Sequence, residues 1–196
     1  NGVVCASAGN HAQGVAFSCN KLKIKGTIFM PEITPKQKTN QTKMFGNGWI
    51  DIVLVGDTFD DCLAEALGFT TKNNMTFVPP FDHFHIMEGQ GTVGVEVLAD
   101  LPDTDIVIMP IGGGGLISGI AIAAKTINPN IKITGVVSSG ARGMKESFEA
   151  RMPIDSDSVK TIADGIAVRD VTPKLLDIIL EYVDEIVEVN DNETAN

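Results

Sequence analysis

Four consecutive glycines, Gly112, Gly113, Gly114 and Gly115, stand between the apolar run Val107–Ile111 and a second apolar run that opens at Leu116. A turn without Cβ atoms lets several backbone N–H groups converge on one anion, and a helix starting there adds the positive end of its dipole. The stretch holds no Lys or Arg, so amides and dipole alone would hold the anion. That arrangement suits a permanently bound phosphate ester. Glycines also serve close helix–strand packing, but four in succession exceed that need. A nucleotide motif does not fit. Gly113, Gly115 and Gly119 leave one residue too many for G-x-G-x-x-G, and no Lys-Ser/Thr pair follows as in a Walker A loop.

Ser7, Ala8, Gly9, Asn10 and His11 form a second candidate. Small residues and clustered amides between a strand pattern and a helix pattern suit a carboxylate. Asn10 has two readings: its side-chain amide donates to an oxygen, or it caps the following helix. Spacing does not decide between them. His11 has no evident acid partner. His11, His83 and His85 lack the i, i+4 spacing of a zinc pair. Asp57, Asp60 and Asp61 read as a solvated helix start that complements the dipole.

Short β-rich runs alternating with helical patterns must position these loops, which is the signature of βαβ units and a parallel sheet. Strands are expected at Val3–Ala6, Gly26–Met30, Ile50–Val55, Thr76–Val78, Asp105–Pro110, Lys132–Val137 and Glu185–Val189. Helices are expected at His11–Leu22, with Ala12, Val15, Ala16, Cys19 and Leu22 on one stripe, and at Pro35–Phe45, Phe59–Phe69 and Thr92–Leu101. Further helices are expected at Leu116–Ile127 and Arg142–Ala150, and on the stripe Leu175, Leu176, Ile179, Leu180, Val183. Met152–Ser158 is polar and irregular. Pro79–Pro80–Phe81–Asp82 marks a boundary, giving a small α/β domain over 1–82 and a larger one over 83–196. Both candidate loops follow strand ends, where ligands of open α/β sheets bind, so they could face one cleft.

Composition narrows the class. With 43% hydrophobic and 20% charged residues the balance is that of a globular protein, and a net charge of −10 disfavours nucleic acid or an anionic membrane as partner. No run approaches the roughly 18 apolar residues of a membrane helix. Three cysteines without CxxC spacing suggest apolar packing in a reduced, cytoplasmic setting. The chain opens on Asn1 without Met, and a helix start at Asp191 lies close to Asn196. We therefore expect an internal piece of a longer protein.

The ordered set Ser7-Ala8-Gly9-Asn10-His11-Ala12-Gln13-Gly14, Met30-Pro31, Gly56-Asp57-Thr58-Phe59, Pro80-Phe81-Asp82, Gly89-Gln90-Gly91-Thr92, Gly112–Gly115-Leu116 and Ala163-Asp164-Gly165 resembles the threonine dehydratases (threonine ammonia-lyases). These are pyridoxal-phosphate lyases of the tryptophan-synthase-β class. The resemblance implies fold type II: a three-layer α/β/α arrangement of twisted, mostly parallel sheets in two lobes. It implies that Gly112, Gly113, Gly114, Gly115 and Leu116 cradle the cofactor phosphate and that Asn10 hydrogen-bonds the pyridine 3-hydroxyl. It also implies that Gly165 lies near the ring and that Ser7, Ala8, Gly9, Asn10 and His11 clasp the substrate carboxylate.

The implied reaction removes the α-proton of threonine, and of serine with it, eliminates the β-hydroxyl, and ends in a 2-oxo acid and ammonia. It would serve isoleucine biosynthesis or threonine catabolism in a cytoplasmic homo-oligomer, dimer or tetramer. The family's Schiff-base lysine lies in a Ser-Phe-Lys motif expected upstream of Asn1, so no catalytic residue is assigned here and the piece alone is expected to be inactive. Serine racemase relatives carry a Ser where this chain has Ala8, and a methyl group cannot carry a proton. They also bind a divalent cation through carboxylates absent from Val137–Gly143, so no metal is expected. The alternatives are a serine dehydratase or racemase of the same fold, or a non-catalytic anion-binding module.

Overall fold

Strand β1 (Val3–Ala6) shows why the first half of the chain layers as it does. Its side chains alternate between two apolar clusters. Cys5 joins Ile28, Met30 and the helix residues Ala12, Val15, Ala16 and Cys19, whereas Val4 and Ala6 join Phe29, Cys62 and Ala66. A strand covered on both faces reads as a continuous apolar run. β2 (Gly26–Met30) is accordingly buried at every position. Helix α1 (Asn10–Leu22) and, through Phe45, α2 (Lys36–Gly46) cover one face of the sheet; α3 (Phe59–Asn73) covers the other. With β3 (Ile50–Leu54) and β4 (Thr76–Phe77), all pairings are parallel and the order is β3-β2-β1-β4.

The computed structural model describes residues 1–156 and 159–196, which divide into two compact units, Asn1–Pro80 and Phe81–Asn196. In the second unit β5 (Ile106–Pro110), β6 (Lys132–Ser138) and β7 (Glu185–Val189) form a parallel sheet in that order. One core joins Ile133 and Val137 of β6 to α5 (Gly115–Ile127), to Met144 of α6 (Gly143–Ala150) and to Leu176 and Ile179 of α7 (Pro173–Tyr182). A short α8 (Asp191–Ala195) closes the chain. Among the described residues no helix is long and apolar enough to cross a membrane. All three cysteines are free and buried.

Three elements depart from expectation. Helix α4 runs over Phe84–Asp100 and begins well before Thr92, with the His83 ring nitrogen accepting the His85 N–H at its start. Its glycines conceal it, because Gly is a poor helix former. Packing decides instead. A methyl on Gly91 would lie 3.1 Å from the Gly119 carbonyl oxygen, so α4 and α5 touch backbone to backbone. Helix α3 continues past Phe69 to Asn73, because Gly68 has open space around it and ends nothing; Asn74 caps the helix in the left-handed region at φ 49°. Leu22, placed on the buried stripe of α1, is exposed at the last helical position before the left-handed Lys23. Of the irregular stretch Met152–Ser158, residues 157 and 158 lie outside the described residues.

Candidate functional site

The glycine turn begins where β5 ends. Ile111 N–H donates to the Val136 carbonyl at 2.8 Å, the last sheet bond before the chain leaves β5. Gly114 then adopts φ +91°, a left-handed conformation that favours glycine, and serves as N-cap of α5. The Ser118 N–H bonds back to the Gly114 carbonyl at 3.0 Å, while among the described residues no acceptor meets the N–H groups of Gly112 through Ile117. A helix start ordinarily leaves four donors unmet, and here the turn adds to them.

Packing accounts for more of the run than the sequence suggests. A methyl on Gly113 would sit 2.6 Å from the Phe81 ring, and one on Gly115 would sit 2.9–3.0 Å from Phe81 backbone and Cβ atoms. Gly112 is pressed by Ile166 and Val168. Gly112, Gly113 and Gly115 therefore each have a steric reason as well as exposing an amide. Phe81 belongs to the Pro80-Phe81-Asp82 motif, but nothing local in the sequence says that it lies beneath this turn.

No Lys or Arg stands in the turn itself. The Lys125 ammonium, farther along α5, is held by the Asp184 carboxylate at 2.8 and 3.0 Å. The Ser118 hydroxyl, three residues into α5, is fully buried and has no hydrogen-bond partner among the described residues. An orphaned buried hydroxyl is costly unless something accepts from it or donates to it. Amides without acceptors, a helix N-terminus and this hydroxyl fit a phosphate group.

Gly165 lies in a single 3-10 turn, Asp164–Ile166, that packs against Gly112, its carbonyl oxygen 3.5 Å from where a Gly112 methyl would be. The structure thus brings Gly165 and the glycine turn together. Gly165 itself is exposed and has open space above its Cα.

In the first unit, Ser7–Gly9 link β1 to α1. Ser7 N–H donates to the Phe29 carbonyl at 3.0 Å, and Ser7 Oγ accepts the Gly9 N–H at 3.2 Å. Gly9, not Asn10, is the N-cap, and no side chain caps this helix. Asn10 is the first helical residue, exposed, its carboxamide free of the capping role. Among the described residues the N–H groups of Ala8, Asn10, His11 and Ala12 meet no acceptor, which suits an oxyanion at a helix start. The His11 ring is turned to the sheet, its Nε2 3.1 Å from the Val78 carbonyl oxygen. A carbonyl only accepts, so Nε2 carries the proton. Burial pushes the His11 pKa below its ordinary value, and the bond to Val78 opposes this more weakly. Ala8 packs its methyl against the cluster around α1.

Asp57, Asp60 and Asp61 stand at the start of α3. Asp61 completes a capping box with Thr58, and hydrogen bonds from Thr58 and Asp57 hold its pKa below the usual carboxylate range.

In each unit, parallel α/β structure leaves acceptor-free amides at a helix start after a strand, among the described residues, with no Lys or Arg in the loop, an arrangement that fits an anion. The chain belongs to the family of pyridoxal-phosphate dependent enzymes, whose match runs over residues 1–196. It is 47% identical over 190 residues to the biosynthetic L-threonine dehydratase IlvA of Halalkalibacterium halodurans, a match covering 96% of this chain and 46% of that protein. The corresponding Staphylococcus aureus protein is 46% identical over 195 residues, covering 97% and 46%. Among solved structures, the processed form of threonine deaminase isoform 2 from Solanum lycopersicum superposes with a TM-score of 0.89 at 41% identity, covering 96% of this chain and 51% of that one. Maize serine racemase superposes with a TM-score of 0.91 at 32% identity, covering 97% and 57%. The chain spans about half the length of the curated relatives it matches.

Proposed function

We propose that the protein carrying this chain is a pyridoxal-phosphate-dependent lyase that converts L-threonine, and L-serine with it, to a 2-oxo acid and ammonia. The observation that carries the reading is the head of α5: among the described residues, acceptor-free N–H groups from Gly112 to Ile117 and a fully buried, unpartnered Ser118 hydroxyl, with no Lys or Arg in the turn. When bound, pyridoxal phosphate supplies an electron sink that makes the substrate's α-proton acidic.

The residues of this chain bind and orient. The N–H groups of Gly112, Gly113, Gly114, Gly115 and Leu116 hold the phosphate, and the Ser118 hydroxyl assists. The Asn10 carboxamide, which caps nothing, donates to the oxygen of the ring 3-hydroxyl. The N–H groups of Ala8, Asn10 and His11, on the loop that Ser7 and Gly9 shape, hold the substrate carboxylate. Gly165, without a side chain, leaves room for the ring beside its turn. Holding the substrate by its carboxylate fixes which α-bond is aligned for cleavage.

Ala8 favours elimination over racemisation, because its methyl has no proton to deliver to a second face. The similarity to the relatives called threonine dehydratase and threonine deaminase supports threonine as substrate. The test is to saturate the full-length protein with pyridoxal phosphate, add L-threonine, and measure 2-oxobutanoate and ammonia in equal amounts. A protein that binds the cofactor yet releases no 2-oxo acid from threonine or serine overturns the proposal.

A further inference from the structure

The segment that bears Gly165 is held by side chains lying outside the glycine turn. Thr161 Oγ1 is the node. It accepts from the Ser138 hydroxyl at 2.7 Å and from the Ala163 N–H at 3.1 Å, and donates to Asp191 Oδ1 at 2.6 Å. Ser138 Oγ accepts the Gly140 N–H at 3.2 Å, and Asp191 Oδ1 also accepts the Ile162 N–H at 3.3 Å. The three residues come from the end of β6, the approach to the 3-10 turn and the start of α8. Asp191 ends the chain of donors as an acceptor, so the Thr161 proton points to it and the Ser138 proton points to Thr161. A bond ending on a carboxylate is about twice as strong as a neutral one.

The 3-10 turn is a single turn with no buried residue and no side-chain cap. One end rests on Gly112, where Ile166 Cα and Val168 Cγ2 lie 3.2 and 3.3 Å from the position of a methyl. Toward the other end, Thr161 is bonded to Ser138 and Asp191, and the Lys160 N–H before it donates to the Gly140 carbonyl at 2.9 Å.

We infer that Ser138, Thr161 and Asp191 form a positioning relay that sets the Gly165 turn against the glycine turn and thereby aligns the bound cofactor. The inference rests on the reading above, in which Gly112–Leu116 hold the phosphate and Gly165 lies beside the ring. A site misplaced by a fraction of an ångström loses affinity and alignment together.

The experiment uses the full-length protein with Thr161→Val, which keeps the shape and removes the hydroxyl, and Thr161→Ser, which keeps the hydroxyl. Hydrogen exchange at the Ile166, Ala167 and Val168 amides is read without cofactor; dissociation constant and induced circular dichroism are read with pyridoxal phosphate. Thr161→Val is expected to speed exchange at those amides and weaken cofactor binding about tenfold each, the effect of losing one charge-assisted hydrogen bond, with an altered dichroic band. Thr161→Ser is expected to restore both. If Thr161→Val does not fold, Ser138→Ala and Asp191→Asn must each move exchange and dichroism in the same direction. Wild-type exchange and dichroism in Thr161→Val, or in both substitutes, overturns the inference, as does an equal loss in Thr161→Ser. These readouts do not involve threonine, so a failure of the relay and a failure of the threonine reading are seen separately.

Discussion

Replacing Gly114 tests whether the amides of the glycine turn hold the cofactor's anion. At φ +91° and ψ −8° this residue is left-handed, and an L side chain there costs about 1–2 kcal/mol. A methyl would meet Ile179 Cδ1 at 3.0 Å and Met144 Cε at 3.2 Å, both the far ends of side chains that can give a few tenths of an ångström. The strain of Gly114→Ala is therefore mainly in the backbone, and it is relieved by rotating the peptides around residue 114. Rotation takes N–H groups away from the anion. A hydrogen bond to a charged group contributes about 1.5–3 kcal/mol, so Gly114→Ala should weaken cofactor binding roughly ten- to a hundredfold. Gly114→Asp adds a carboxylate near a phosphate. Two unit charges about 4 Å apart near a protein surface repel by about 4 kcal/mol, enough to abolish retention.

The control is Lys125→Ala. Lys125 lies about 15 Å along α5 from Gly115 at 1.5 Å per residue, and its ammonium is engaged by Asp184. Losing a partly exposed ion pair costs about 0–1 kcal/mol of stability, and Asp184 Oδ2 still accepts the Ile133 N–H at 2.7 Å. Cofactor affinity should not change. Equilibrium dialysis of the full-length protein with pyridoxal phosphate reads all three variants. Loss of cofactor in Lys125→Ala with retention in Gly114→Asp would refute the amide cradle.

Three further outcomes are expected of the full-length protein. Burial lowers the His11 pKa, so below the ordinary histidine value of about 6.5 the unfolded chain takes up the proton first. The His11 contribution is thus complete above that pH and is lost as pH falls toward the lowered folded value. His11→Gln, which keeps a donor for Val78, should flatten this part of the thermal-midpoint profile, and an unchanged profile would remove His11 as its source. Gly119→Ala would set a methyl 2.8 Å from the Gly91 amide nitrogen and force α4 off α5, destabilising the fold by about 1–3 kcal/mol in urea melts; a wild-type midpoint would contradict the backbone contact. Ala8 offers no proton to a second face, so chiral chromatography of residual substrate should find almost no D-allo-threonine, the product of inversion at the α-carbon. Its rapid appearance would count decisively against one-faced proton transfer.

What was legible in the sequence follows from how local each feature is. β2 was plain because a strand covered on both faces is an apolar run, and α7 because one clean stripe faces the core; β5 is also an apolar run, yet it is the edge strand of its sheet and leaves Ile106 and Ile108 exposed. The first half of α4 was hidden by Gly89 and Gly91, since its stability comes from contact with α5 rather than from propensity. The same division runs through the site. Both loops proposed to bind anions are marked by missing side chains: glycines and small residues stand, within a few consecutive positions, where N–H groups are left without acceptors among the described residues. The competing roles of Asn10 could not be separated by spacing, because cap and first helical residue differ only in backbone angles, and the structure gives the cap to Gly9.

Thr161 reaches Ser138 across 23 positions and Asp191 across 30, so no local pattern marks that relay. Phe81 beneath Gly113 and Gly115 is equally non-local. It leaves each of those glycines with two demands, room for a ring and an N–H facing a phosphate, and an alanine at either position would violate the first before it tested the second. Gly114, whose neighbours are yielding side-chain ends, is therefore the position where the anion-binding role can be probed with the least steric confusion.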